Sequence, residues 1–210
     1  MKTILFDLDG TLIQTPKIIL DAFKLTFKTY LPDVDLNDSE LSNFLGQTLW
    51  QTFGYYTDDE KLVDEMIKAY RKTSNEMIEM GLMPYPNAKQ TIEYLKKQGC
   101  KIGIVTSKMK DVASYHLKLT NLFEDVDVII GYEDAENHKP HPDPILKALA
   151  LLDAKKADTI YIGDHENDIK AAKKAGIESC AVTYSLRLKE MLAEQPEYVI
   201  DDLSNLEDIV

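Results

Sequence analysis

Apolar and polar residues follow two different patterns along this chain. Between about residues 15 and 80, apolar side chains recur three and four positions apart, which is the spacing of amphipathic helices. From residue 87 onward, short apolar runs of strand length alternate with helical segments. Strands are therefore predicted at 2–6, 101–105, 126–130, 159–162, 177–182 and 198–200, and helices at 87–98, 109–119, 144–152, 166–175 and 186–193.

Strands that alternate with helices of this length predict a parallel sheet with helices on both faces. The all-helical stretch interrupts that order just after the first strand, and the Met-Pro-Tyr-Pro sequence at 83–86 is a predicted linker at its end. The expected fold class is therefore α/β. A Rossmann-like, three-layer parallel-sheet core is expected from residues 1–14 and 84–210, with an all-helical subdomain inserted at 15–83.

Composition narrows the classes of function. The chain has 210 residues with 24 Lys and Arg against 36 Asp and Glu, which gives a formal net charge of −12. Such an acidic surface repels nucleic acid phosphates and anionic lipids, so neither is an expected partner. Cys100 and Cys180 form no Cys-x-x-Cys pair, and carboxylates at Asp7 and Asp9 interrupt the first apolar run too early for a signal peptide. A cytoplasmic protein without a membrane span is expected.

Polar residues follow four predicted strands at their carboxyl ends, the edge where open α/β sheets bind ligands. Four carboxylates at one edge repel each other unless a cation is present. Mg²⁺ favours carboxylates together with substrate phosphate, and hydroxyl groups and a lysine can bind the phosphate oxygens. The set therefore predicts phosphoryl chemistry around Mg²⁺. Its members are Asp7, Asp9 and Thr11 after the first strand, Thr106 and Ser107 after the second, Lys139 after the third, and Asp164 and Asp168 after the fourth.

These segments resemble the four motifs of the haloacid dehalogenase superfamily, in its phosphatase branch. The helical insert resembles the type-1 helical cap of that family, so that motifs and cap together span nearly the whole chain. Within the family, the cap and the His-Lys-Pro-x-Pro-Asp-Pro stretch resemble the phosphoglycolate phosphatase and pyrophosphatase group. The matching segments are Asp7-x-Asp9-Gly10-Thr11, Thr106-Ser107, Lys139-Pro140 and Gly163-Asp164-x-x-x-Asp168.

The resemblance implies a catalytic role for four residues. Asp7 would attack phosphorus and form an aspartyl-phosphate. Asp9 would protonate the leaving group and then deprotonate water, which favours a phosphatase over a dehalogenase. Thr106 would bind the phosphoryl oxygens, and Lys139 would neutralise charge on the nucleophile and on the transferring group.

The resemblance also implies the ligands of the metal. Asp7, the backbone carbonyl of Asp9, and Asp164 would bind Mg²⁺, and Asp168 would support that metal shell. Thr11 and Ser107 are expected to contribute to substrate binding beside the catalytic residues.

Selection among substrates is expected from the cap, because the core groups bind only a phosphoryl group and its metal. Gln47 and Thr48 lie where such caps place their specificity loop. Arg71 is a candidate to bind an anionic part of the substrate, and an ion pair on the helix surface is its alternative role.

Pyrophosphate is the slightly favoured substrate, and 2-phosphoglycolate or a sugar phosphate are the alternatives. A β-phosphoglucomutase is a weaker interpretation, because the fourth motif here is Gly-Asp-x-x-x-Asp rather than the Glu-Asp pair typical of those mutases. A non-enzymatic, acidic interaction protein is the alternative from a different class. We expect a monomer or a weak dimer.

Overall fold

The computed structural model describes residues 2–45 and 48–209, and the chain divides into two compact units. The sheet unit joins residues 1–13 to residues 83–210, and the helical unit spans Gln14–Leu82. Each boundary falls one residue before the one expected from the sequence. Across the described residues, we find no helix with the length and apolar character needed to cross a membrane.

Among its described residues, the helical unit has four helices around an aromatic core. Rings from all four of these helices meet, and Phe23 lies against Phe44, Phe53 and Tyr70 at centroid distances of 4.4–5.5 Å. Each helix buries one apolar stripe against the others. This packing accounts for the apolar residues that recur three and four positions apart in this part of the sequence. The helices are α1 Thr15–Tyr30, α2 Asp38–Phe44, α3 Leu49–Gly54 and α4 Glu60–Gly81.

The helical periodicity of the insert does not distinguish the short helix α3 as a separate element. Thr48 begins it with a capping box, in which the Thr48 hydroxyl accepts from the Gln51 backbone N–H at 3.2 Å and the Gln51 side chain accepts from the Thr48 N–H at 3.1 Å. A short helix of this kind depends on its cap more than on a long apolar period, which is why periodicity alone did not find it.

Within the part of the sheet unit that the structure describes, six parallel strands form one sheet in the order β3-β2-β1-β4-β5-β6. The central strands β1 and β4 are buried along their whole length, as expected for strands covered on both faces. The predicted α/β parallel-sheet fold is confirmed. The strands are β1 Thr3–Phe6, β2 Lys101–Val105, β3 Val128–Ile130, β4 Thr159–Gly163, β5 Glu178–Val182 and β6 Tyr198–Ile200.

Helices connect and flank these strands. They are α5 Ala88–Lys97, α6 Lys110–Leu119, α7 Asp143–Leu151, α8 Glu166–Ala175, α9 Leu188–Ala193 and α10 Leu206–Ile209. The largest departure from the predicted strands is β3, which begins two residues later than expected. The carboxylate of Asp127, just before β3, accepts from the Ile102 backbone N–H at 2.7 Å and from Lys96. The Asp127 side chain therefore links β2 to the end of α5, and Asp127 itself lies outside the strand.

The order of the strands reverses at β1, whose neighbours are β2 on one side and β4 on the other. Phe6 is in register with Ile104 of β2 and with Ile162 of β4, so the residues that follow these strands emerge side by side. The Asp7 N–H continues the ladder by donating to the Ile162 carbonyl at 2.9 Å. This topological switch point is where open α/β sheets bind their ligands.

Candidate active site

Three carboxylates meet beyond the ends of β1 and β4. Asp7, Asp164 and Asp168 each offer an oxygen atom, and these atoms all lie within 4.8 Å of one another. Burial raises the pKa of Asp7 to about 7, and the charge of Asp168 adds to that effect. Burial, together with the charges of Asp7 and Asp168, raises the pKa of Asp164 well above its usual range. The cluster therefore carries negative charge that is costly in a site this buried.

Lys139 partly compensates that charge. Its ammonium donates to Asp7 Oδ1 at 2.6 Å and to Asp168 Oδ1 at 2.7 Å, and it also contacts the Tyr161 hydroxyl at 3.0 Å. Burial opposes the charge of Lys139, but the two carboxylates outweigh it and hold its pKa well above the usual value. Lys139 therefore lies beside Asp7 as a cation, and its role in neutralising the nucleophile stays a prediction.

The loop after β1 is shaped to fit against Asp164. Gly10 has a φ of +84°, and a Cβ at that position would overlap the Asp164 carboxylate. The Thr11 hydroxyl donates to Asp164 Oδ1 at 3.2 Å, and the Tyr184 hydroxyl donates to the Thr11 carbonyl at 2.8 Å. Glycine at position 10 thus permits both the left-handed backbone and the close approach of the carboxylate.

Asp168 is fixed by the start of α8. The His165 backbone N–H donates to Asp168 Oδ2 at 3.0 Å, while the His165 ring accepts from the Asn167 N–H at 3.0 Å, which forms a capping box. A Cβ at position 163 would overlap the Asp168 side chain, so Gly163 allows this carboxylate to lie against the end of β4. With Lys139 on its other oxygen, Asp168 is positioned by contacts on both sides.

The loop after β2 contributes a hydroxyl and an unpredicted lysine. Thr106 is buried, and its N–H donates to the Ile130 carbonyl at 3.0 Å, whereas Ser107 is exposed. Lys108 donates from Nζ to Asp9 Oδ1 at 2.7 Å. Lys108 is not among the site residues predicted from the sequence. The one sequence feature that points to it is its position directly after Thr106-Ser107.

The structure thus brings five predicted site residues of the sheet unit into one connected region at the carboxyl edge, and Lys108 links two others, Thr106 and Asp9, to each other. In the helical unit, Thr48 caps α3 and Arg71 is exposed on α4. Gln47 lies outside the described residues. The roles of these three residues toward a substrate stay predictions. The five connected residues are Asp7, Thr11, Lys139, Asp164 and Asp168.

The donor set suits a hard divalent cation. All its charged ligands are carboxylate oxygens, and no histidine or cysteine belongs to this group among the described residues. Burial and the neighbouring carboxylates both raise the pKa of Asp7 and of Asp164, and a cation among these oxygens would offset both effects.

Comparison with known proteins agrees with this geometry. Residues 4–182 match the family model of haloacid dehalogenase-like hydrolases. The chain is 39% identical over 207 residues to pyrophosphatase PpaX of Bacillus cereus strain Q1, an alignment that covers 98% of this chain and 94% of that relative.

Two solved structures extend the likeness. A hydrolase of the haloacid dehalogenase-like family from Streptococcus pneumoniae superposes with a TM-score of 0.82 at 25% identity, covering 100% of this chain and 98% of the other. A protein described as a predicted phosphoglycolate phosphatase, from Haemophilus somnus 129pt, shares the fold with a TM-score of 0.87 at 23% identity, covering 100% and 97%.

Proposed function

This chain belongs to the haloacid dehalogenase-like hydrolase family, and from that premise we propose that it is a Mg²⁺-dependent phosphohydrolase that acts through an aspartyl-phosphate on Asp7. The observation that carries the proposal is the pairing of Asp7 with Lys139 at 2.6 Å beside two further carboxylates. A lysine that is always charged lowers the cost of bringing an anionic phosphoryl group to an anionic nucleophile.

In the first half of the reaction, a carboxylate oxygen of Asp7 attacks phosphorus and the bond from phosphorus to the leaving oxygen breaks. Protonated Asp9 gives its proton to that leaving oxygen. In the second half, Asp9 takes a proton from water while the water oxygen attacks phosphorus, which releases phosphate and frees Asp7. Thr106 and Ser107, with Lys139, bind the oxygens of the transferring group.

Asp7, Asp164 and the backbone carbonyl of Asp9 would hold Mg²⁺, and Asp168 would support them. When bound, the ion supplies positive charge that offsets the phosphate oxygens and the carboxylates. The support for this assignment is the oxygen-only donor set and the raised pKa of both Asp7 and Asp164.

Pyrophosphate is the proposed substrate among small phosphorylated compounds. The support is the 39% identity, over nearly the full length of both chains, to a relative named as a pyrophosphatase. Selection of pyrophosphate over 2-phosphoglycolate or a sugar phosphate is assigned to the helical unit as a cap.

The proposal is tested by hydrolysis of p-nitrophenyl phosphate with Mg²⁺, with EDTA and after Mg²⁺ is restored. Turnover that EDTA abolishes and Mg²⁺ restores is expected, and Ca²⁺ is expected to inhibit because its coordination is looser and higher. No turnover under any of these conditions would favour the non-enzymatic alternative. A panel of pyrophosphate, 2-phosphoglycolate and sugar phosphates, scored by kcat/KM, then identifies the substrate.

Gly10→Ala is expected to remove the response of the protein to Mg²⁺. The new Cβ displaces the Asp164 carboxylate, so the rise in Tm that Mg²⁺ causes in the parent, equivalent to about 2.7 kcal/mol at one hundred times Kd, should be lost. Gly99→Ala is the matched control, because Gly99 also has a positive φ of +81° but a Cβ there meets no described heavy atom within 4 Å. Both variants carry backbone strain of about 1–3 kcal/mol. An equal Mg²⁺ response in both would contradict the placement of Asp164 in the metal site.

Arg71→Met is expected to lower kcat/KM for pyrophosphate by roughly 10-fold or more, the usual cost of losing a charged hydrogen-bond partner, and to leave p-nitrophenyl phosphate little changed. Lys72→Met is the control, since it removes a neighbouring exposed charge that pairs with Glu76 on the same helix. The measurement is the ratio of kcat/KM for the two substrates in each variant. Equal losses of kcat/KM on both substrates would show that Arg71 stabilises the helical unit and does not distinguish one substrate from another.

A further inference from the structure

Asp9 is held by a residue that lies outside the four motifs. Lys108 Nζ donates to Asp9 Oδ1 at 2.7 Å, and the two side chains are only 19% and 25% exposed. An ion pair that is largely shielded from water restricts both groups far more than a pair on the open surface does. The contact therefore restrains the Asp9 carboxylate.

Lys108 is itself fixed by a second, buried contact. Its Nζ lies 3.0 Å from Nδ1 of His116, a residue of α6 that is 4% exposed. A lysine ammonium can only donate, so the His116 ring must accept at Nδ1 and carry its proton on Nε2. Burial, with the charge of Lys108 beside it, lowers the pKa of His116 to about 4, which keeps the ring in that accepting form near neutral pH.

The backbone of Lys108 is anchored on both sides as well. Its N–H donates to the Thr106 hydroxyl at 3.2 Å, and its carbonyl accepts from the Tyr132 N–H at 2.8 Å. Just beyond it, the Lys110 N–H donates to the Glu133 carboxylate at 3.1 Å. These contacts fix the backbone from which the side chain extends, and Asp9 and His116 hold its Nζ.

We infer that Lys108, held by His116, is a positioning residue that orients the Asp9 carboxylate for proton transfer from water. The inference rests on the proposed function, in which Asp9 is the acid and base. A carboxylate that has lost its ion-pair partner can rotate away from the attacking water, and a proton acceptor must lie within hydrogen-bond reach of the proton it takes. The second half of the reaction is therefore where the loss of Lys108 should appear.

Lys108→Met tests the inference through a split between kcat and KM on p-nitrophenyl phosphate, whose leaving group needs little protonation. We expect kcat to fall about 10- to 100-fold, a part of the 10²- to 10⁴-fold that acid–base catalysis contributes. KM should fall with it, because phosphoenzyme accumulates, and kcat/KM should stay within about 3-fold. Rapid mixing should show a burst of nitrophenol of about one equivalent per enzyme. Lys97→Met, which removes an exposed lysine of α5, is the control and should show no burst.

His116 supplies the rescue test. His116→Asn keeps an acceptor oxygen near the position of Nδ1 and should stay within about 3-fold of the parent, whereas His116→Leu fills the space without an acceptor and should reproduce part of the Lys108→Met signature. Equal behaviour of the two His116 variants would overturn the part assigned to that residue. A Lys108→Met variant with unchanged kcat, or with kcat/KM reduced as much as kcat, would overturn the inference for Lys108.

Asp9→Asn separates this inference from the proposed function. If Lys108 acts through Asp9, adding Lys108→Met to Asp9→Asn should cause no further loss of kcat. Full activity in Asp9→Asn would mean that the proposed role of Asp9 is wrong. A slow Asp9→Asn together with fully additive losses in the double variant would mean that only the role of Lys108 is wrong.

Discussion

Asp7→Asn is expected to lower kcat by roughly 10³-fold or more, the scale on which losing a nucleophile acts in enzymes with covalent intermediates. An amide oxygen is a poor nucleophile and a weaker ligand for a divalent cation. The side chain keeps its size, and an oxygen remains to accept from Lys139, whose contact with Asp168 at 2.7 Å is untouched. The loss should therefore come from chemistry and not from unfolding.

The thermal stability of Asp7→Asn shows whether its loss of activity comes from chemistry or from unfolding. Asp7 is one of three carboxylates that repel one another, so removing its charge should leave Tm in EDTA equal to that of the parent or above it. Asp201→Asn, an exposed position of the same unit, is the control for kcat and for Tm. Normal turnover in Asp7→Asn would contradict the nucleophile assignment, and a large fall in Tm would show that the activity loss has a structural cause.

Lys139→Met is expected to give the largest loss of stability. Lys139 pairs with Asp7 and Asp168 in a site where all three side chains are less than 10% exposed. Lys139 is the one cation that the described part of the chain pairs with these two buried carboxylates, and breaking such a pair typically costs about 3–5 kcal/mol. Urea unfolding in EDTA measures this loss, and activity should fall as well because Asp7 loses its charged neighbour.

The control for that prediction is the double variant Lys139→Met with Asp168→Asn. It removes one of the stranded charges, so it should be more stable than Lys139→Met alone. Mg²⁺ should also recover part of the stability of the single variant, because a bound cation offsets the same carboxylates. A single variant as stable as the parent, or a double variant that is less stable than the single one, would show that the charges of Lys139 and Asp168 are not coupled in this way.

The sheet and the residues at its edge were predictable because two local signals agree. Apolar runs of strand length between helices specify a parallel sheet, and a parallel sheet brings the residues after its strands to one edge. Asp7, Thr106 and Asp164 could therefore be grouped before any contact was known. The start of β3 was less predictable, since the part played by Asp127 depends on hydrogen bonds to a neighbouring strand.

The contact of Lys108 with Asp9, and that of His116 with Lys108, could not be predicted in the same way. Lys108 and His116 are eight positions apart, and their meeting depends on how α6 lies against the loop after β2. Thr48 shows a second limit of prediction from sequence. A threonine before a helix is typical of an N-cap as well as of a binding loop, so the residue type alone does not distinguish the two roles. The structure assigns it a capping role, and its role toward a substrate stays a prediction.

The central claim, covalent catalysis by Asp7, is tested most directly by trapping the intermediate. Asp9→Asn keeps the nucleophile but lacks the base that water needs, so phosphoenzyme should accumulate when the variant is mixed with p-nitrophenyl phosphate and Mg²⁺. Mass spectrometry after acid quench and digestion should find one phosphoryl group on the peptide that contains Asp7, and borohydride should convert that residue to homoserine. Phosphate on another residue, or turnover by the parent enzyme with no phosphoryl adduct in either protein, would contradict it.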